Sequence, residues 1–289
     1  MPGPAMIPPM TNLGRTPDED DYVLGTNDEE IQRLGLQHRV WRPAMLDCWQ
    51  RAGVTSGSRV LDVGAGPGYA TLDLAEIVGP RGAVVAIERS ARFAEAARRR
   101  CQLQGLAPVK VHELDLMTDE LPPESFDAIW CRWVASFVPR PSLLIRKLAG
   151  LARPGTVAIF HEYIDYSTWR LAPRCERLEE FVQEVMGSWR AAAGEPDVAL
   201  ALPTLLRTEG FAVRSAVPKV FCIGPASPIW RWPASFVATN LDRLVALQRV
   251  DRAWAESVRE AFAQAEARPD SLMITPMVLE IVAERGPAA

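Results

Sequence analysis

Gly64, Gly66 and Gly68 sit two residues apart at the end of the apolar run Val60, Leu61, Val63, within the stretch VLDVGAGPGYATLDLA. A β-rich run closed by glycines at this spacing reads as a buried strand. Its carboxyl end turns through backbone that must come close to a ligand, which is where open parallel sheets bind small molecules. A dinucleotide site would place its third glycine at position 69, which is Tyr69, so the spacing weighs against a nicotinamide cofactor. Glu88 closes the next β-rich run, AVVAIE, where a carboxylate accepts hydrogen bonds from both hydroxyls of a ribose. Asp115 follows a third run, VKVHEL, within reach of an adenine amino group if the three strands are neighbours. Three strand ends thus converge on one nucleoside.

A parallel sheet has to bring those ends together, and the chain carries its rhythm. After the run starting at Arg59 comes a helix over Tyr69 to Val78 ended by Gly79, then AVVAIE, then a helix over Ala91 to Gln104 ended by Gly105. That alternation predicts an α/β fold with a parallel sheet. Strands follow at 109–114, 126–131 and 156–162, with a helix around Leu143 to Leu151 between the last two. Upstream, Ile31, Leu34, His38 and Trp41 recur at helical spacing behind a cap at Asn27 or Asp28, and Pro43 allows a kink or a second short helix through Trp49. Downstream come an amphipathic stretch over Cys175 to Ala192, an extended run over 211–223, a Trp-rich segment leading into a helix, and a last strand over 271–284. The chain therefore divides into a flexible tail over 1–20, a helical lid over 21–52, a ligand-binding core over 53–165, and cap helices with terminal strands over 166–289.

Composition narrows the partners. The 32 basic and 36 acidic residues leave a net charge of −4, which gives no electrostatic reason to bind nucleic acid or an anionic membrane. No stretch has the roughly 18 apolar residues that would span a bilayer, and the proline-broken segment MPGPAMIPPM lacks the basic start of a signal peptide. The five cysteines are widely spaced and form no C-x-x-C pair, so they read as reduced thiols of a cytoplasmic protein. The three histidines lie far apart with no helical i, i+4 pair and no cysteine partner, so no metal site is expected.

The segment D-V-G-A-G-P-G, with Glu88 and Asp115 behind it, resembles the class I, Rossmann-like S-adenosylmethionine-dependent methyltransferases of the small-molecule kind, over roughly Arg59 to Glu162. The resemblance implies a seven-stranded, mostly parallel sheet whose last strand is reversed, with an N-terminal helical lid and a C-terminal helical cap. The methionine tail of S-adenosylmethionine, and of the product S-adenosylhomocysteine, would lie over Gly64, Ala65, Gly66 and Gly68. Asp62 would orient the loop or the donor ammonium. Glu88 would bond the ribose, while Arg89, Asp115 and Leu116 would surround the adenine. Arg132 and Trp133 would line the sulfonium end, and Gln37 would approach it from the lid together with Tyr22, His38 and Trp41.

Methyl transfer is an in-line displacement, so the protein must hold nucleophile, methyl carbon and sulfur in line in a dry pocket, and a base is needed only where the acceptor carries a proton that must leave. Base candidates are His161 and Glu162 after the fifth core strand and Tyr22 in the lid, although His161 can equally serve a neighbouring loop and Glu162 can cap or pair. His38, Trp41, Tyr163, Trp169 and Trp232 are candidates for the acceptor pocket, where aromatic walls suit a planar or apolar molecule; the cap aromatics could equally be the cap's own core. The expected partner is a small-molecule substrate, and a homodimer is allowed. CRWVAS follows the fourth strand where an Asn-Pro-Pro-Tyr-type segment would point to protein or nucleic-acid substrates. A Rossmann oxidoreductase, and a donor-binding protein without transferase activity, are the rival readings.

Overall fold

The computed structural model describes residues 24–104 and 108–287. The expected tail, Tyr22 and the helix-ending Gly105 lie outside the described residues. Seven strands form one sheet: β1 (Arg59–Val63), β2 (Ala83–Glu88), β3 (Val109–Glu113), β4 (Phe126–Arg132), β5 (Ala152–Asp165), β7 (Phe211–Lys219) and β10 (Met277–Arg285). Their order is β3-β2-β1-β4-β5-β10-β7. β3, β2, β1, β4 and β5 pair in parallel, and β10 runs antiparallel between β5 and β7. The fold is therefore the mostly parallel α/β sheet with a reversed last strand. β1 lies inside the sheet between β2 and β4, and its Val60, Leu61 and Val63 are essentially fully buried. Each contributes about 1.5–3 kcal/mol on leaving water, which is why the run holds to a strand.

The sheet is covered on both faces. On one, α1 (Asp28–Arg51) and α2 (Tyr69–Val78) pack Met45, Cys48, Trp49 and Leu74 onto Val60, Val84, Trp130 and Ile159. α3 (Ala91–Gln104) joins α2 and lies against β2 and β3. On the other face, α4 (Pro141–Gly150) and α6 (Leu202–Thr208) bury Leu144, Leu148, Leu202 and Leu206 against Leu61, Ile129, Phe160 and Ile281. The cap is built from α5 (Glu176–Ala191), α7 (Arg231–Ala246), α8 (Arg252–Ala267) and a small sheet of β6 (Arg170–Ala172), β9 (Leu272–Ile274) and β8 (Cys222–Ile223). Its core is aromatic, with Tyr166, Trp169, Phe181, Trp189 and Phe236 in mutual contact. No helix among the described residues is long and apolar enough to cross a membrane.

Two expectations about elements are corrected. Pro43 neither ends nor splits its helix: α1 runs unbroken from an Asn27 cap, whose side chain accepts the Glu30 N–H at 2.8 Å, through to Arg51. Burial of Trp41, Met45, Cys48 and Trp49 on the same face outweighs the one hydrogen bond that a proline removes. The last strand is two strands, because Pro276 has no N–H to give to a ladder. Thr275 instead exchanges hydrogen bonds with Phe221, its N–H and hydroxyl both engaged at 3.0 Å, so β9 joins the small sheet and β10 the large one.

Candidate functional site

The glycine turn leaves β1 with three left-handed residues, Gly64 at φ +63°, Gly66 at +56° and Gly68 at +82°, conformations that an L side chain resists. They do different jobs. A Cβ on Gly64 would stand 2.4 Å from Val134 Cγ2, and one on Gly68 would stand 2.7 Å from Ala97 Cβ, so these two allow close packing of neighbouring elements. A Cβ on Gly66 would meet nothing within 4 Å: the space it would fill belongs to the cleft. The turn is pinned from β2, where Ala65 donates to the Ile87 carbonyl at 3.0 Å and Gly66 donates to Glu88 Oε2 at 2.8 Å. Glu88 Oε1 accepts from the Ser90 N–H at 2.9 Å. Burial raises this carboxyl above its ordinary range, and the two N–H donors oppose that rise. A carboxylate has about four acceptor sites, so Glu88 keeps capacity for a ligand's hydroxyls while it shapes the loop.

Around the turn lies a cleft of about 1180 Å³, counting its open mouth. Gly64, Ala65, Gly66 and Glu88 form one wall, and Arg89, Asp115 and Leu116 stand at the β2 and β3 end. Leu34 and Gln37 of α1 also line it, as do Trp133, Val134, Phe137, Val138 and Pro139. Asp62 and Arg132 are at the floor. Asp62 is buried, and its Oδ2 accepts the Thr71 hydroxyl at 2.6 Å. Burial pushes its pKa up to about 6, against the pull of Thr71 and Arg132. Burial likewise pushes the Arg132 guanidinium down to about 10. Its ring neighbours are Trp130 and Trp133, 5.9 and 5.0 Å from the guanidinium carbon to the ring centroids.

Trp133 is held at φ +51°, an unfavourable state for a bulky residue. Two devices enforce it. Its N–H donates to the His161 carbonyl at 3.0 Å, and the following loop is fastened to Glu162. That carboxylate is fully buried; Oε1 takes the N–H groups of Val134 and Ala135 at 2.7 and 2.9 Å, and Oε2 takes the N–H and hydroxyl of Ser136 at 3.3 and 2.9 Å. Burial lifts its pKa to about 7, with the same donors opposing the rise. Glu162 is thus a positioning residue for the wall that carries Trp133.

Two histidines, His38 on α1 and His161 on β5, each have a carboxylate on Nε2. His161 faces Glu280 Oε2 at 3.1 Å and lies 4.8 Å from Trp130 and 6.2 Å from Trp41, centroid to centroid. His38 faces Asp73 Oδ2 at 3.1 Å, which Arg42 also holds, and stacks on Tyr69. Burial lowers both histidines' pKa against the pull of their carboxylate partners, and each Nδ1 is buried without a partner among the described residues. Glu280 binds Arg51 and Lys219 as well as His161; burial alone would raise its pKa, but these bonds outweigh it and hold the group at about 2. The fold also gives His161 the cysteine neighbour that sequence spacing does not reveal, since Cys48 Sγ, a His161 nitrogen and a Glu280 oxygen lie within 4.8 Å of one another. Glu280's charge there is already matched by Arg51 and Lys219.

The cleft thus gathers Gln37, Asp62, Gly64, Ala65, Gly66, Glu88, Arg89, Asp115, Leu116, Arg132 and Trp133. Gly68 stands behind it as the N-cap of α2. Trp41, Tyr163 and Trp232 form a second rank around Trp133, at 5.5, 5.7 and 6.3 Å between ring centroids. Gln37 Oε1 accepts from both Arg33 and the Trp232 indole, at 2.9 and 3.0 Å, tying α1 to the cap. Trp169 is not among the cleft residues; its indole donates to Met273 Sδ and its ring packs on Tyr166, Phe181 and Phe236 in the cap core. Sequence reasoning passed over Tyr69, which lines the cleft and whose hydroxyl donates to the Ile31 carbonyl at 3.1 Å. It also passed over the Val134–Pro139 wall, whose signal was its place just after a strand end.

Residues 54–196 match the model of a methyltransferase domain family. The chain is 38% identical over 94 residues to protein-L-isoaspartate O-methyltransferase 1 of Archaeoglobus fulgidus, covering 32% of this chain and 44% of that one. It is 30% identical over 163 residues to the ubiquinone biosynthesis O-methyltransferase of Neisseria meningitidis serogroup C, covering 54% and 66%. The chain spans about half the length of the first curated relatives it matches. Among solved structures, coclaurine N-methyltransferase bound to N-methylheliamine and SAH superposes with a TM-score of 0.53 at 17% identity, covering 84% of this chain and 72% of that one.

Proposed function

From the premise that residues 54–196 form a methyltransferase domain of the class I, Rossmann-like kind, we propose that the protein transfers a methyl group from S-adenosylmethionine to an oxygen, nitrogen or carbon atom of a small metabolite. One observation carries the reading of the donor. The Glu88 carboxylate stands at the end of β2 with acceptor capacity to spare, beside a turn whose Gly66 leaves its Cβ position open to the cleft. A ribose diol and an amino-acid tail match that pair of features. Arg89, Asp115 and Leu116 would hold the adenine, and Asp62 would face the ammonium.

S-adenosylmethionine, when bound, supplies a methyl carbon activated by its sulfonium. The chain's own work is to orient and to exclude water. The rigid turn fixes one partner, and the Trp133 wall, fastened by Glu162, fixes the space opposite it. Trp133, Trp41, Tyr163 and Trp232 offer a wall suited to a planar or apolar acceptor. Neither His161 nor His38, each buried and bound to a carboxylate through Nε2, is among the cleft residues, so neither is proposed to take an acceptor's proton. A cleft approached by Leu34 and Gln37 of α1 favours a small acceptor over a macromolecule. Five free thiols fit a reducing, cytoplasmic setting.

The test is transfer itself. The protein is incubated with S-adenosylmethionine carrying an isotopically labelled methyl group and panels of phenols, quinols, amines and carboxylates, and products are read by mass spectrometry. The reading expects one labelled methyl on an acceptor with matching release of S-adenosylhomocysteine. Tight donor binding with no transfer to any acceptor class contradicts it.

A further inference from the structure

The outer face of the small cap sheet departs from the pattern that a solvated sheet follows. An antiparallel sheet with one face in water alternates apolar inward and polar outward positions. Inward, β9 places Met273 and β6 places Leu171, both buried. Phe221, just before β8, sets its ring on Trp41 and Trp232 at 5.2 and 6.5 Å between centroids. Outward stand Leu272 and Ile274 of β9, Arg170 and Ala172 of β6, and Cys222 of β8, all exposed. Alternation about Phe221 turns Val220 the same way. Leu272, Ile274 and Val220 are 46%, 42% and 44% exposed, three of the seven large apolar side chains found exposed among the described residues. The register makes them one surface, since Arg170 and Cys222 both pair with Ile274, and Ala172 pairs with Leu272. A contiguous apolar face of this kind marks a contact surface.

The charges around this face have a direction. At the Ile274 end stands Arg170, whose Nε donates to the Ser167 carbonyl at 3.3 Å and which has no ion-pair partner among the described residues. At the Leu272 end, the chain leaving β6 and the chain entering β9 carry Glu176, Glu179, Glu266 and Asp270 against Arg174 and Arg268, an excess of acid. An anionic lipid surface calls for basic residues throughout, which this rim does not offer. A second copy of the chain matches it. A two-fold axis lying in the face and running across the strands sets the Ile274 end of one copy over the Leu272 end of the other, so that each Arg170 meets the partner's acidic rim. We propose that the protein forms a homodimer through the outer face of β6, β9 and β8. Leu272, Ile274 and Val220 are its apolar centre, and Arg170 fixes the antiparallel arrangement.

The experiment is sedimentation velocity of the full chain from low to high micromolar concentration, with the rate of Cys222 thiol labelling followed over the same range and thermal melting as the fold control. The wild type is expected to dimerise, and labelling of Cys222 to slow as concentration rises and the face is covered. Ile274→Asp is expected to weaken the dimer by more than about tenfold. Arg170→Glu, a change at an exposed position, is expected to weaken it by about tenfold, and added salt to loosen the wild type but not that variant. A wild type that stays monomeric at high micromolar concentration overturns the proposal without any variant having to fold. A dimer that both substitutions leave intact has its interface elsewhere and overturns it too. A monomer that co-sediments with vesicles of anionic phospholipid, with Cys222 protected only there, gives the face to a lipid surface. A monomer whose Cys222 becomes reactive only on removal of residues 1–23 gives it to the chain's own leading segment. Either of these outcomes overturns the second copy.

Discussion

Replacing Asp62 by Asn should make the ligand-free protein more stable at neutral and alkaline pH. In the unfolded chain this carboxyl ionises near 3.8, and in the folded protein burial raises it to about 6. The folded state therefore holds the proton more tightly. The stability this group contributes is fully present below the unfolded value, falls as pH rises from 3.8 to about 6, and stays lost above that. With each pKa unit worth about 1.36 kcal/mol, the penalty at pH 8 is roughly 3 kcal/mol. Asparagine carries no charge to desolvate, and its carbonyl oxygen can still accept the Thr71 hydroxyl. Asp62→Asn should therefore melt higher than the wild type at pH 8, by on the order of 5 °C, and the gap should close as pH falls toward 4. Thermal unfolding followed at pH 8, 6 and 4 measures it. A variant that melts at or below the wild type at pH 8, or a gap that does not depend on pH, would refute the reasoning. The same substitution should weaken S-adenosylhomocysteine, since a carboxylate kept at such a cost is the one expected to meet the ligand's ammonium.

Gly64→Ala and Gly66→Ala both pay about 1–2 kcal/mol for left-handed backbone, but Gly64 also acquires the 2.4 Å approach to Val134. Melting curves should therefore rank Gly64→Ala well below Gly66→Ala, while titration should show Gly66→Ala losing nucleoside affinity; wild-type affinity in Gly66→Ala would remove the turn from the site. Glu162→Gln replaces a four-donor acceptor by a group that brings its own N–H₂ toward those donors, and should cost about 2–4 kcal/mol of stability. An unchanged melting temperature would show that the Trp133 wall is held by other means. Thiol labelling of the native protein should modify exposed Cys222 first and leave Cys48, Cys101 and Cys131 unreacted until unfolding; prompt reaction of Cys131 would contradict its burial between β1 and β5.

The strand ends that line the cleft were legible because each depends on local chemistry. A glycine turn after an apolar run, and an acid closing the next β-rich run, leave their mark within a few residues of sequence. The packing behind the cleft leaves no such mark. Glu280 reaches His161 because β10 inserts beside β5 with His161 and Glu280 directly paired, a contact across 119 positions. Asp73 reaches His38 because α1 folds back over α2. Periodicity did hold a usable signal for α8, where Ala255, Val258 and Phe262 face inward at helical spacing behind an Asp251 cap. Its alanine-rich, charged character masked that signal. The tryptophans illustrate the limit most clearly: Trp169 and Trp232 are equally buried aromatics of the cap, and only the packing shows that Trp232 stands beside the cleft wall while Trp169 belongs to the cap's own core.

The central claim, that the strand-end cleft is an S-adenosylmethionine site organised by Glu88, is tested most directly by calorimetric titration of wild type and Glu88→Ala with S-adenosylmethionine, S-adenosylhomocysteine and NADH. The account predicts micromolar binding of the two sulfur nucleosides, at least a tenfold loss in Glu88→Ala from the missing charged hydrogen bonds, and no binding of NADH. Binding of NADH in preference to the sulfur nucleosides, or equal affinity in the wild type and Glu88→Ala, would contradict it.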